Sequence, residues 1–191
     1  MVVTDDSELA AKVRLLKGQG MDTSRRYWFP IVGYNYRMTN IQAAIGLAQL
    51  ERLDWFIERR REVAGWYGDL LKEFSSIQTP VEASWAKNVY WLYSVCLPED
   101  CNRDLLIAQL LKKGIETRPF FYPLHHMPPY LADDAAANWP VAVNLAARGI
   151  SLPSSATLTE ENVNSIVGAL RVCLQKQLHD RARKGNREWS I

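Results

Sequence analysis

Gly33-Tyr-Asn-Tyr-Arg-Met-Thr-Asn-Ile-Gln-Ala-Ala-Ile-Gly46 is the stretch on which the reading of this chain turns. A glycine opens a polar loop carrying Asn35 and Arg37, and the loop runs straight into an apolar-periodic helix. Thr39 and Gln42 have the spacing of a capping box, in which each side chain satisfies a backbone N–H of the first turn. A helix start of this kind holds polar side chains at defined positions and suits an anion. Spacing alone leaves open an ordinary loop-to-helix junction.

Downstream, Asn40 to about Phe74 reads as one long helix with Ile41, Ala44, Ile45, Ala48 and Phe56 on its apolar stripe. Glu58-Arg-Arg-Arg-Glu62 reads as a solvated stretch, and Gly65 and Gly68 as points where the helix can bend. Gly46 inside the helix is either a close backbone approach or a tolerated cost. Upstream, Met1–Thr4 is a short β-branched strand. Asp5-Asp6-Ser7 caps a helix to about Lys17, and Gly18-Gln-Gly20 closes it. Arg25-Arg26 beside Tyr27-Trp28-Phe29 is either a contact surface or a solvated basic turn.

From Ser75 the texture becomes α+β. Strands are expected over Asn88–Leu97, Ile115–Arg118 and Ile150–Leu152. Helices are expected from Asn102 or Cys101 to Lys113, over Pro140–Arg148, and from a Thr159 cap to about Gln177. Residues 178–191 read as a charged, mobile tail.

Two further blocks accompany the first: Gly114-Ile-Glu-Thr-Arg-Pro-Phe-Phe-Tyr-Pro-Leu-His-His-Met-Pro-Pro-Tyr130, and Leu145-Ala-Ala-Arg-Gly-Ile-Ser-Leu-Pro-Ser154 with Leu158-Thr-Glu-Glu161. Together the three blocks, in this order, resemble the DegT/DnrJ/StrS nucleotide-sugar aminotransferases, which depend on pyridoxal phosphate (PLP). The resemblance covers roughly residues 1–175. It implies an α/β chain, the C-terminal part of an aspartate-aminotransferase-like, fold type I transferase. Residues 1–39 would be a remnant of the large cofactor domain, 40–74 a linking and dimer helix, 75–177 the α+β small domain, and 178–191 the tail.

The resemblance also assigns roles. Asn35 matches an asparagine that reaches across a dimer interface to the PLP phosphate; an Asx-turn residue is the alternative. Arg37 either touches the substrate region or ties the loop to a carboxylate. Arg118, Tyr122 and His125 fall in the sugar-nucleotide contact block, where an Arg fork suits pyrophosphate and Tyr and His suit sugar hydroxyls. His126 does not fit the pattern. Trp91 stands where many relatives carry His and resembles members acting on GDP-linked 4-keto-6-deoxy sugars; a core tryptophan is the alternative.

The family holds PLP on a lysine just before a Gly-Gly-Met-Val-Val-Thr-like strand. Met1-Val-Val-Thr4 aligns with the end of that strand, so the lysine is expected upstream of residue 1. None of Lys12, Lys17, Lys72, Lys87, Lys112, Lys113, Lys176 and Lys184 matches it. The expectation is therefore a chain with no catalytic residue of its own, binding no PLP when alone. A non-catalytic dimerisation or complementation module is the other reading. Exposed apolar surface points to a homodimer, a higher oligomer or a complementing chain.

Composition sets the outer bounds. Apolar residues make up 48% of the 191, enough for a core, and no run is long enough to span a bilayer. Cys96, Cys101 and Cys173 have neither disulfide nor zinc spacing, and no metal site is expected. A net charge of +2 gives no reason to expect nucleic acid. The expected setting is the reducing cytoplasm.

Overall fold

The structure is a computed structural model and describes residues 2–130 and 139–185. Two compact units divide it, one ending at Leu53 and the other beginning at Asp54.

The first unit contains helix α1 (Ser7–Lys17) and helix α2 (Asn40–Leu50), with a long loop between them. Asp6 caps α1 by accepting from the N–H groups of Glu8 and Leu9 at 2.9 and 3.0 Å. Thr39 and Gln42 form the capping box of α2, with Thr39 N–H donating to Gln42 Oε1 at 2.8 Å. Val2–Thr4 forms no strand, and Val3 is 87% exposed. A β-branched tetrad becomes a strand only when another strand takes up its N–H and C=O groups.

Helix α3 (Leu53–Leu71) follows, so the predicted single helix to Phe74 is in fact two. The interruption falls at Glu51-Arg52, where the Arg52 N–H turns back to the Gln49 carbonyl at 3.2 Å, a tighter bond than the helical one. The glycines do not bend the chain: α3 runs unbroken through Gly65 and Gly68. A mid-helix glycine costs about 1 kcal/mol against alanine but forces no kink.

The second unit is built on a small antiparallel sheet of β1 (Tyr93–Cys96), β2 (Arg118–Pro119) and β3 (Gly149–Leu152), ordered β1-β3-β2. Tyr93 pairs with Leu152 and Cys96 with Gly149, while Arg118 pairs with Ser151. Both outer strands are shorter than expected. At Asn88–Trp91 the backbone bonds to side chains instead of a ladder, and Tyr90 adopts a left-handed φ of 46°. Helices α4 (Arg103–Leu111), α5 (Pro140–Arg148) and α6 (Glu160–Gly185) complete the unit. Asn102 caps α4, and Thr159 and Asn162 cap α6 reciprocally. Helix α6 continues well past Gln177, so the expected tail is helical to Gly185. The rest of that tail lies outside the described residues.

The core lies between α3, α4, α6 and the sheet. Tyr67, Leu106, Leu110, Ile150 and Val163 have no measurable exposure, and Tyr67 stacks on Tyr93 with ring centroids 4.8 Å apart. Burial pushes the Tyr93 hydroxyl up to about 12. The Tyr67 hydroxyl donates to the Pro153 carbonyl at 2.9 Å, which closes the sheet's exit loop onto α3. No described helix is long and apolar enough to cross a membrane.

Candidate functional site

In the first unit, the loop that carries Asn35 and Arg37 is bound to the C-terminal end of α1. The Tyr34 N–H donates to the Leu16 carbonyl at 2.7 Å, Gln19 N–H to Tyr34 O at 2.9 Å, and Tyr36 N–H to Lys17 O at 3.0 Å. Gly18 and Asn35 thereby form an isolated antiparallel bridge. Two glycines make the approach possible. A Cβ on Gly33 would sit 2.1 Å from the Gly20 nitrogen, and one on Gly20 would sit 2.1 Å from the Ile31 carbonyl oxygen. Gly20 also has φ +77°, a conformation that favours glycine.

Tyr34 and Tyr36 stack on each other with centroids 5.3 Å apart, so Asn35 between them projects to the opposite side of the extended backbone. Asn35 and Arg37 are exposed, and neither side chain has a hydrogen-bond or ionic partner among the described residues. The loop thus offers an amide and a guanidinium with free donors. Nearby, Asp22 accepts from Ser24 Oγ at 2.6 Å and from the N–H groups of Ser24 and Arg25. These bonds, the Ser24 hydroxyl first, hold its carboxyl below the usual range. Arg25 lies over the Trp28 ring and Arg26 over Tyr27, so the basic turn is engaged with its own aromatics.

The second unit contains a cavity of 840 Å³, whose lining includes Trp91, Lys113, Glu116, Arg118 and Ser151. Arg118 reaches it from β2. Tyr122 and His125 do not line it; Tyr122 is 68% exposed, and His125 packs edge-on against His126 at 4.4 Å. Trp91, singled out by the resemblance, lines the cavity, while the contribution of Lys113 has no local sequence signal, because the segments around residues 91, 114 and 153 meet only in the folded unit. Trp91 is not a core tryptophan: it is 64% exposed.

The arginines of the stretch expected to be solvated are engaged with loops, and of Arg59, Arg60 and Arg61 it is Arg60 that lines the cavity. Arg60 Nη1 donates to the carbonyls of Trp91 at 2.8 Å and Ser154 at 3.2 Å. Arg59 donates to the carbonyls of Ala156 and Leu158 and pairs with Glu62. Arg61 bonds Glu82 and the Asn88 carbonyl, and that bond to Arg61 holds the Glu82 carboxyl below its ordinary value. The helix face therefore serves as an anchor for two loops.

Cys96 and Cys173 are buried, and Cys101 is half-buried with its thiol pushed up to about 11 by burial. Such a thiol is a poor nucleophile at neutral pH. No cluster of metal-ligating side chains occurs among the described residues. Lys12, Lys17, Lys72, Lys87, Lys112, Lys113 and Lys176 are all exposed.

A small antiparallel sheet backed by helices, with a capped helix on a separate unit, matches about half of a fold type I transferase. Residues 1–171 match the DegT/DnrJ/EryC1/StrS aminotransferase family, and the chain belongs to it. GDP-perosamine synthase of Caulobacter vibrioides is 49% identical over 173 residues, which are 89% of this chain and 46% of that protein. GDP-perosamine synthase of Escherichia coli O157:H7 is 45% identical over 163 residues, covering 85% of this chain and 44% of the relative. Among solved structures, Helicobacter pylori PseC, an aminotransferase involved in pseudoaminic acid biosynthesis, superposes with a TM-score of 0.81 at 26% identity. The match covers 91% of this chain and 48% of PseC. PLP is the cofactor of the family. The chain spans about half the length of the curated relatives it matches.

Proposed function

We propose that this chain is the C-terminal, substrate-side part of a PLP-dependent aminotransferase acting on a GDP-linked 4-keto-6-deoxyhexose. The observation that carries the reading is the Gly33–Thr39 loop: backbone bonds to α1 fix it, while Asn35 and Arg37 keep unused donors. An amide donor binds a phosphate oxygen without adding charge, and a guanidinium adds a charge-assisted fork. Those donors fit the phosphate end of PLP, which when bound supplies the electron sink and nitrogen carrier of amino transfer. The aldehyde end has no fitting partner among the described residues. A lysine that forms such a bond has its amine desolvated, whereas Lys12, Lys17, Lys72, Lys87, Lys112, Lys113 and Lys176 are exposed.

The assignment of roles follows. Asn35 donates to the cofactor phosphate of a neighbouring subunit, and Arg37 orients the substrate beside it. Arg118 contacts the substrate's pyrophosphate, while Tyr122 and His125 contact sugar hydroxyls. These 191 residues alone do not complete an amino-transfer site, and the lysine lies outside them. Ile41, Ile45 and Leu50 on α2 are 74%, 62% and 63% exposed, an apolar surface suited to a subunit or chain interface. The working form is then a homo-oligomer or a hetero-complex.

The test is borohydride reduction of the chain mixed with PLP, followed by intact mass. No stoichiometric adduct is expected from the chain alone. Co-expression with the remaining half of a GDP-perosamine synthase is expected to give amino transfer, reduced at least tenfold by Asn35→Ala. A stoichiometric adduct on one lysine of the isolated chain, with turnover, would overturn the reading. Sedimentation of the isolated chain as a monodisperse monomer would remove the oligomer.

A further inference from the structure

The segment that leaves β2 carries Tyr122 and His125, and what holds it in place is not in the segment. Its backbone bonds run from the N–H groups of His126, Met127 and Tyr130 to the carbonyls of Pro123, Leu124 and Met127. Among the described residues, the backbone bonds of 121–130 therefore all close within the loop. Phe121, Tyr122, Leu124 and Tyr130 are exposed. Local turns of this kind set the shape of a loop but not its direction from the sheet.

The tie to the body is at the root of the loop. Arg118 pairs with Ser151 and Pro119 with Ile150, so the antiparallel register puts Phe120 opposite Gly149. The Phe120 N–H donates to the Gly149 carbonyl at 3.1 Å, which carries the ladder one residue beyond β2. Gly149 is buried and Phe120 half-buried. A Cβ on Gly149 would lie 2.2, 2.3 and 2.4 Å from Cγ, Cδ1 and Cδ2 of Phe120. The ring thus fills the space that any other residue at 149 would need for its own side chain. Those three atoms are at the base of the ring, beside the backbone, so the ring cannot swing clear as a flexible tip could. An aromatic ring laid on a cross-strand glycine covers the bare backbone and fixes the pair.

We propose that Phe120 and Gly149 are a positioning pair for the substrate. The ring, seated where glycine has no side chain, sets the direction in which the loop leaves the sheet and so places Tyr122 and His125. The pair acts through the loop and makes no contact with the sugar. The proposal rests on the roles given above to Tyr122 and His125, and it lies wholly within the second unit.

The test has two arms, both on the full 191-residue chain. In the first, the chain alone is treated with chymotrypsin and cleavage after Phe121 is timed by mass. Gly149→Ala, whose methyl expels the ring, and Phe120→Ala, which deletes it, should each speed that cleavage roughly tenfold and leave sites outside the loop unchanged. Gly149→Ala should also lower the unfolding midpoint. Adding Phe120→Ala to it should restore the midpoint but not the slow cleavage, because the clash goes while the anchor stays lost. In the second arm, each variant is co-expressed with the remaining half of a GDP-perosamine synthase. KM for the sugar nucleotide should rise roughly fivefold with kcat little changed, the mark of binding lost equally in ground and transition states. Phe120→Tyr, which keeps the ring, should retain the wild-type KM. Wild-type cleavage and KM in folded Phe120→Ala overturn the pair, as does a lowered midpoint and kcat with KM unchanged. If the complemented enzyme transfers no amine, the assigned reaction falls and the cleavage rates alone decide the pair.

Discussion

The two units of this chain are made from similarly apolar sequence and end in opposite states. In the second unit, α3, α4 and α6 bury Val63, Tyr67, Leu106, Leu110 and Val163 around the sheet. In the first unit, neither α1 nor α2 buries a single residue, although α2 reads Asn-Ile-Gln-Ala-Ala-Ile-Gly-Leu-Ala-Gln-Leu. Hydrophobic periodicity selects a helix, but only a facing surface converts it into stability. The order of the first unit rests instead on caps, a backbone bridge and glycine contacts.

That contrast can be broken in four ways. Leu106→Ala, in the closed core, is expected to cost about 3 kcal/mol in denaturant unfolding. Ile45→Ala on α2 should leave unfolding within about 0.5 kcal/mol of wild type, and an equal cost at both sites would erase the distinction. Arg60→Ala, which strips donors from the Trp91 and Ser154 carbonyls, should cost about 2 kcal/mol and speed amide exchange in the second unit only. Thr39→Ala should cost the start of α2 about 1 kcal/mol, seen as roughly fivefold faster exchange of its first-turn amides.

The last and smallest test concerns pH. Burial favours the neutral forms of Cys101 and Tyr93, pushed up to about 11 and about 12. Their contribution is therefore complete below the unfolded values, about 9 for the thiol and 10 for the phenol. It is lost as pH rises from there through 11 and 12. Unfolding midpoints should hold steady to pH 9 and then fall, and Cys101→Ser should flatten the first part of that decline. A midpoint rising above pH 9 contradicts the assignment.

What was legible in the sequence was local. Asp6, Thr39–Gln42, Asn102 and Thr159 each satisfy N–H groups within three residues, so spacing alone locates the helix starts. What escaped was non-local. Asn88–Leu92 has strand propensity, yet Arg60 and Ser154, 31 and 63 residues away from Trp91, claim its carbonyl. Glu58–Glu62 looks like a solvated face because nothing in a charge run announces the loops it will bond. Asn35, Arg37, Trp91 and Arg118 stand out by resemblance in motif, whereas Lys113 joins Trp91 at one cavity only through folding.

The contact between Gly20 and Gly33 has one more consequence. With both side chains absent, the loop before α2 rests directly on the end of α1, and its geometry needs no outside scaffold. The prong bearing Asn35 is therefore rigid before any partner arrives, so docking sacrifices little conformational freedom in that segment. Adding even one methyl group at Gly33 would loosen the prong and turn a preformed plug into one that must be ordered on contact.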